Sequence, residues 1–381
     1  MDPSRPGEPT RPVDPPRPEP TSAPAPQSTL HPTPRLAPRS SGRSAVTLAR
    51  VAEVAGVSIA TASRVLNGST LRTVRGELQE RVMLVAADLG YTPNAHAQAM
   101  ARGSSTIIGL IVNDIADPYF STIAAGVMRV AAGRGIVVLG STRNQFAQEL
   151  DYVTMLRVQR AKAMVIVGSR TTDFNHTKRL ATEVAAFQSA GGRVSVVSQN
   201  RLGADTVMPE NRAGAHALAL ALVEQGHRSF AVLGGPPTLV VATDRVKGFS
   251  EGVIAAGLRA KDSIRVVPGD FTRDGGYTAG RRLLDGGPLP DCIFAVNDVM
   301  AMGAMAALRE SGCEVPRDVG IAGFDDIPTL RDIAPALTTV RLPLIEMGER
   351  AGTMALDAAP GQAPRLLRIR GQVALRESTR R

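Results

Sequence analysis

From Thr106 to the C-terminus, short aliphatic runs alternate with helix-length stretches, and this alternation restricts the fold more than any other feature of the chain. The runs cover residues 107–112, 136–140, 163–167, 194–197, 230–233, 292–296 and 320–324. Runs this continuous are buried on both faces, which is how a strand of a parallel sheet reads. Helical patterns lie between many of them, for example over 120–132, 211–224, 244–256 and 298–311. The roughly 270 residues of this pattern exceed what one open sheet needs, so two similar α/β lobes with parallel sheets and a cleft between them are expected. Aromatic residues make up 3% of the chain and Trp is absent, so aliphatic side chains must fill the core.

The N-terminal part is built differently. Residues 1–40 hold thirteen of the 27 prolines and only four of Val, Ile, Leu, Met, Phe and Tyr. Such a segment buries too little apolar surface to offset its ordering entropy, and residues 1–45 read as a disordered, Pro-rich tail. A small all-α module follows over 46–92. Thr47 can cap a first helix that Gly56 ends, Ser58 can cap a second that stops at Asn67, and a third covers about 77–89. Val51, Val54, Val57, Ala62, Val65, Val82 and Val85 are its expected core. Residues 93–105 form a hinge helix and linker, with Pro93 suited to a first helical turn. Residues 106–381 are the two-lobed core.

The segment Thr47-Leu-Ala-Arg-Val-Ala-Glu-Val-Ala-Gly-Val-Ser-Ile-Ala-Thr-Ala-Ser-Arg-Val-Leu-Asn67 has helix-turn-helix spacing. In that motif the start of the second helix enters the major groove. Here it offers Ser58, Ile59, Ala60, Thr61, Ser63 and Arg64. Small hydroxyls and helix N-terminal N–H groups bind phosphates. Arg64 can pair with guanine O6 and N7, and Ile59 and Ala60 can pack on thymine methyls. On spacing alone, a helical bundle that docks a protein fits as well. The net charge of +9 is spread along the chain with no Lys/Arg block, so it permits a nucleic-acid partner without requiring one.

Residues 47–67, followed by Leu89-Gly-Tyr-Thr-Pro-Asn94, resemble the headpiece of the LacI/GalR family of bacterial transcription regulators. The resemblance continues through Ile108-Gly-Leu-Ile-Val112, Asp117-Pro-Tyr-Phe120, Gly226-His-Arg228 and Arg245-Val-Lys-Gly-Phe249. It runs on through Ala295-Val-Asn-Asp-Val-Met-Ala-Met-Gly-Ala304, Gly323-Phe-Asp-Asp326 and Leu337-Thr-Thr-Val340, in family order. It implies a homodimer or dimer-based tetramer on a pseudo-palindromic operator. Thr47, Leu48, Asn67, Asn94 and Ala97 join the second-helix residues as DNA contacts. The hinge residue Met100 wedges into the central base step, where the family usually has Leu. A second departure is Arg75, where the family has a Ser or Thr cap before the third helix; Thr73 stands close enough to replace it.

The resemblance also implies a periplasmic-binding-protein-like core with a small-molecule effector, a sugar or sugar derivative, between the lobes. Arg245, Asn297 and Asp325 fall where family members hydrogen-bond it, and Tyr119, Phe120 and Phe271 where they often line the cleft. A guanidinium, an amide and a carboxylate suit vicinal hydroxyls, and an aromatic face suits a sugar ring. Each has a plainer alternative: Asn297 and Asp325 as caps, Arg245 as a surface ion-pair partner, the three aromatics as core. Gly168-Ser-Arg170 and Ser198-Gln199, after the third and fourth strands, are not diagnostic.

No metal site, cofactor or catalytic constellation is found. The five His lack metal spacing, Cys292 and Cys313 are too few for a cysteine-rich zinc site, and Asp274-Gly-Gly276 reads as a turn rather than a phosphate loop. No apolar run is long enough to span a membrane and no signal-like stretch follows the N-terminus, so a cytoplasmic protein is expected. The expectation is therefore a ligand-responsive repressor of carbohydrate uptake or catabolism genes, and not an enzyme. The alternative is the solute-binding module of a transport system, which shares the core fold but predicts an export signal and no headpiece.

Overall fold

The computed structural model describes residues 46–67, 76–91, 105–143, 145–358 and 361–381. The Pro-rich tail, Thr73, Arg75 and the hinge with Asn94, Ala97 and Met100 lie outside them, as does the side chain of Asn67. The chain divides into two units, residues 1–92 and 93–381. In the first, helices Leu48–Val54, Ile59–Asn67 and Gly76–Asp88 close over Val51, Ala52, Ala55, Ala62, Val82 and Ala86. Val54 departs from expectation. It is 47% exposed, because the buried stripe of its short helix runs through Val51, Ala52 and Ala55 instead.

The second unit is the expected two-lobed α/β core. The first lobe carries a six-stranded sheet in the order β11-β5-β4-β3-β1-β2, with every neighbouring pair parallel. Its strands are β1 (Ile107–Val112), β2 (Ile136–Ser141), β3 (Ala163–Val167), β4 (Arg193–Val197), β5 (Asp205–Pro209) and β11 (Leu366–Ile369). The second lobe has a parallel sheet in the order β7-β6-β8-β9. Its strands are β6 (Phe230–Gly234), β7 (Ile264–Pro268), β8 (Cys292–Ala295) and β9 (Gly320–Ala322). A short antiparallel pair, β10 (Thr339–Arg341) with β12 (Gln372–Ala374), lies where the chain passes between lobes. The central strands β3, β6 and β8 are buried along their whole length, as continuous aliphatic runs require.

Both sheets have a point where strand order reverses, between β1 and β3 in one lobe and between β6 and β8 in the other. Loops leaving the carboxyl ends of parallel strands diverge there and leave a crevice. The chain crosses between lobes three times, around residues 209–211, 342–344 and 369–372. The crossings keep the two crevices face to face.

Small residues let the helices approach closely, which suits a core with few aromatics. Helices Pro118–Ala131 and Leu344–Asp357 pack over Gly126 and Gly348, where a Cβ would strike the carbonyl oxygens of Ile345 and Ile123. Helices Arg273–Asp285 and Asp298–Glu310 meet in the same way over Gly276 and Gly303. Asp274-Gly-Gly276, expected as a turn, is therefore the first turn of a helix, and Gly276 is there for the close approach. In an exposed helix Gly→Ala gains about 1 kcal/mol. Here Gly348→Ala is expected to cost about 1–3 kcal/mol through overpacking against backbone. Calorimetry should show a thermal midpoint lowered by several degrees; an unchanged or raised midpoint would contradict the contact.

Candidate functional site

The helix-turn-helix is held by caps that its sequence supplies. Thr47 Oγ1 accepts from Arg50 N at 3.3 Å, and Gly56 takes φ +62° to end the first helix. Ser58 Oγ accepts from Thr61 N at 3.1 Å and shares a hydrogen bond with Thr61 Oγ1 at 2.8 Å. Of the two hydroxyl protons one is used in that pair, leaving one to donate outward. Ser58, Ile59 and Ala60 are exposed, while Thr61, Ser63 and Arg64 are half-buried. Ile59 is 56% exposed at the start of the second helix, so its side chain is free to meet a partner. Thr47 is exposed and Leu48 packs partly against the small core.

In the second unit, a cleft open to solvent lies between the lobes. All six residues expected at an effector site line it: Tyr119, Phe120, Arg245, Phe271, Asn297 and Asp325. Arg245, on helix Val240–Ala255, is 2% exposed and forms no surface pair. Its Nε donates to Asn211 Oδ1 at 3.0 Å and its Nη1 to Val296 O at 2.7 Å. Both Nη atoms reach the Asp325 carboxylate, at 3.2 and 2.7 Å, and the guanidinium lies 3.8 Å over the Phe324 ring. Four of its five N–H groups are thus committed, and Asp325 keeps free lone pairs. Asp325 holds φ +117°, a conformation that costs energy for a residue with a Cβ. Asn297 both caps and lines: its Oδ1 accepts from Met300 N at 2.9 Å at the head of helix Asp298–Glu310. The aromatics likewise serve core and cleft. Phe120 is buried with Tyr119 edge-on at 5.0 Å, and Tyr119 and Phe271 pack partly against the core.

The first lobe supplies a second buried pair that sequence reasoning missed. Arg170 Nη1 and Nη2 donate to the two Glu149 oxygens at 2.9 and 2.7 Å, and the side chains are 2% and 7% exposed. Arg170 Nε also donates to Ser198 Oγ at 3.3 Å, and Gln199 Oε1 accepts from Arg170 N at 2.8 Å. The one available signal was an Arg three residues beyond a wholly apolar strand. Each wall of the cleft therefore carries a guanidinium neutralised by its own carboxylate. Among the described residues no cluster of His, Cys, Asp or Glu is placed to hold a metal, and no helix is long and apolar enough to cross a membrane.

Residues 47–94 match the family model described as bacterial regulatory proteins, lacI family, and residues 219–379 match the periplasmic binding protein-like domain. The chain is 30% identical over 328 residues to the HTH-type transcriptional regulator CelR of Thermobifida fusca, covering 85% of this chain and 94% of that protein. It is similar in structure to a transcriptional regulator CelR–cellobiose complex, with TM-score 0.62, 29% identity, and 87% and 99% of the two chains covered. It is also similar to the lac repressor dimer bound to operator and the anti-inducer ONPF, with TM-score 0.71, 26% identity, and 88% and 99% covered.

Buried carboxyls crowd this site. Burial raises Asp117, Asp298 and Asp325 above the usual carboxylate value, while Arg245 draws each of them down. Asp298, next in the chain to the cleft-lining Asn297, is fully buried and accepts from Thr339 Oγ1 at 2.7 Å and Ile327 N at 3.0 Å. Burial moves it from 3.8 to about 6, despite those two donors. The folded state then binds this proton more tightly than the unfolded state. Its contribution is fully present below pH 3.8 and is lost as pH rises through about 6. The span corresponds to about 3 kcal/mol. Asp298→Asn is expected to remove this slope, so the variant's stability relative to wild type should improve as pH rises across that window. Urea titrations at several pH values measure it; a flat difference would contradict the buried-proton account.

Proposed function

The chain belongs to the LacI family of bacterial regulatory proteins, and on that premise we propose how its parts divide the work. It is a ligand-responsive, sequence-specific DNA-binding transcriptional regulator of the repressor type, serving carbohydrate uptake or catabolism. The protein acts in the cytoplasm as a homodimer on a pseudo-palindromic operator. Residues 46–92 are the reading head, 93–105 the hinge and 106–381 the effector-binding and dimerisation core. Thr47, Ser58, Thr61, Ser63 and Asn67 hold the phosphate backbone with their side chains and Leu48 with its N–H at the helix start, and Ile59, Ala60 and Arg64 read base edges. Asn94, Ala97 and Met100 act in the minor groove.

A neutral sugar or sugar derivative binds in the cleft. Asp325 and Asn297 meet its hydroxyls with the remaining Arg245 N–H, and Tyr119, Phe120 and Phe271 cover its apolar face. Occupancy changes the angle between the lobes and so releases or tightens the operator. The relatives matched are regulators, and no metal or further cofactor is invoked. The observation that carries the reading is one chain joining a capped helix-turn-helix to a cleft whose guanidinium groups are each neutralised by a carboxylate. With both guanidinium groups neutralised and Asp117 lining the cleft as well, the site suits an uncharged polyhydroxylated ligand better than a phosphorylated one.

Selection of genomic fragments by the purified full-length protein tests the reading. One palindrome upstream of transporter or glycosidase genes is the expected result; only salt-sensitive binding without a common sequence would overturn it. On the recovered operator, Arg64→Ala is expected to cost about 1–3 kcal/mol and to relax the preference at one base pair per half-site. Fluorescence anisotropy against single-base operator variants reads both effects. Unchanged affinity and preference would remove Arg64 from the base-reading set.

A further inference from the structure

The two lobes also meet at a place that the three crossings do not explain. After β3 the first lobe sends out residues 168–172, and after β6 the second sends out residues 235–239, leading into helix Val240–Ala255. Thr171 and Leu239 form an isolated antiparallel bridge. Thr172 N donates to Thr238 O at 2.9 Å, Val240 N to Arg170 O at 3.0 Å, and Val241 N to Ser169 Oγ at 3.1 Å. The last two donors belong to the first turn of helix Val240–Ala255, whose N–H groups have no partners within the helix. Leu239, at its N-cap position, provides no side-chain cap. One lobe therefore caps a helix of the other, and the capped helix is the one that bears Arg245.

The capping loop is firmly held on its own side. Arg170 is tied to Glu149 and Ser198 by buried bonds and to Gln199 through its backbone N–H, which anchors the loop to the first lobe. Ser169, Arg170, Leu239 and Val241 all line the cleft.

We propose that residues 169–172 are a clasp that closes the cleft by capping helix Val240–Ala255 across it, with Arg170 as its positioning residue. Opening the cleft strips that helix of its cap, so the clasp sets the resting angle between the lobes and the effector works against or with it. The role in effector response rests on the reading of the cleft as the effector site; the clasp as a closing device does not.

Amide hydrogen exchange on the full-length protein tests it without DNA or effector. Val240 and Val241 amides are expected to be protected, and Ser169→Ala and Glu149→Gln to speed their exchange at least fivefold while Val165, inside β3, stays unchanged. Free exchange of Val240 and Val241 in the wild type, or no acceleration in either variant, would overturn the clasp. Thr171→Cys with Leu239→Cys gives a second arm. The flanking hydrogen bonds make this a closely spaced antiparallel pair within disulfide reach. Mild oxidation should cross-link it in buffer containing no sugar, and Ser169→Ala in the same background should slow cross-linking several-fold; failure to cross-link, or an unaltered rate, counts against the clasp. On a selected operator, Ser169→Ala should shift affinity at least threefold with no sugar present, and an unchanged affinity would overturn the clasp's part in the response. If the wild type selects no operator, the regulatory reading fails while the exchange result still decides the clasp.

Discussion

A single buried guanidinium organises the second unit. Arg245 binds Asn211, Val296 and Asp325, which lie at the first crossing between lobes, at the end of β8 and just beyond β9. Removing a charge from water is costly, and the cost is offset here only because four of its N–H groups are satisfied and a carboxylate faces it. Any change of lobe angle that pulls Asn211 or Asp325 away leaves that charge uncompensated. A ligand that adds hydrogen bonds at the same point acts directly on the segments about which the lobes turn. The positive φ of Asp325 is in keeping with this, since a strained residue persists only where its surroundings hold it.

The rest of the core keeps this arrangement precise. Parallel strands ending at two opposed crevices bring Arg170 and Asn297 to facing walls, and glycine-lined helix pairs fix each lobe as a rigid body. In the proposed mechanism, lobes packed this tightly would turn a small displacement at the cleft into rotation about the crossings rather than local yielding. If the cleft and the reading head are coupled as proposed, the coupling is expected to be about 1–3 kcal/mol and reciprocal, with operator DNA and effector shifting each other's affinity by one factor.

Much of this was legible in the sequence, for identifiable reasons. The strands β1 and β3 appear at their observed limits because burial on both faces leaves only aliphatic residues. Short or partly polar strands such as β5, β7 and β11 carry no such run and were missed. Arg245, Asn297 and Asp325 stand out because each sits in a segment that carries the family resemblance. Glu149 and Arg170 lie 21 residues apart, and nothing local announces a pair made by tertiary packing. Gly276 misled in the same way, since a glycine that admits a neighbouring helix looks like one that makes a turn. Val54 reads as core in the sequence because it is an aliphatic residue of a small three-helix module, but a helix of seven residues buries too narrow a stripe to include it.

The central claim is that a sugar in the cleft controls the grip on DNA. Operator affinity measured at constant salt across a panel of neutral mono- and disaccharides, cellobiose included, tests it most directly. Wild type and Phe271→Ala should be compared, because Phe271 lines the cleft and its loss leaves no buried charge unpaired. One sugar should change the wild-type affinity about 5- to 150-fold, with the concentration needed rising at least tenfold in the variant. A panel without effect, or a response that survives Phe271→Ala unaltered, would contradict the account.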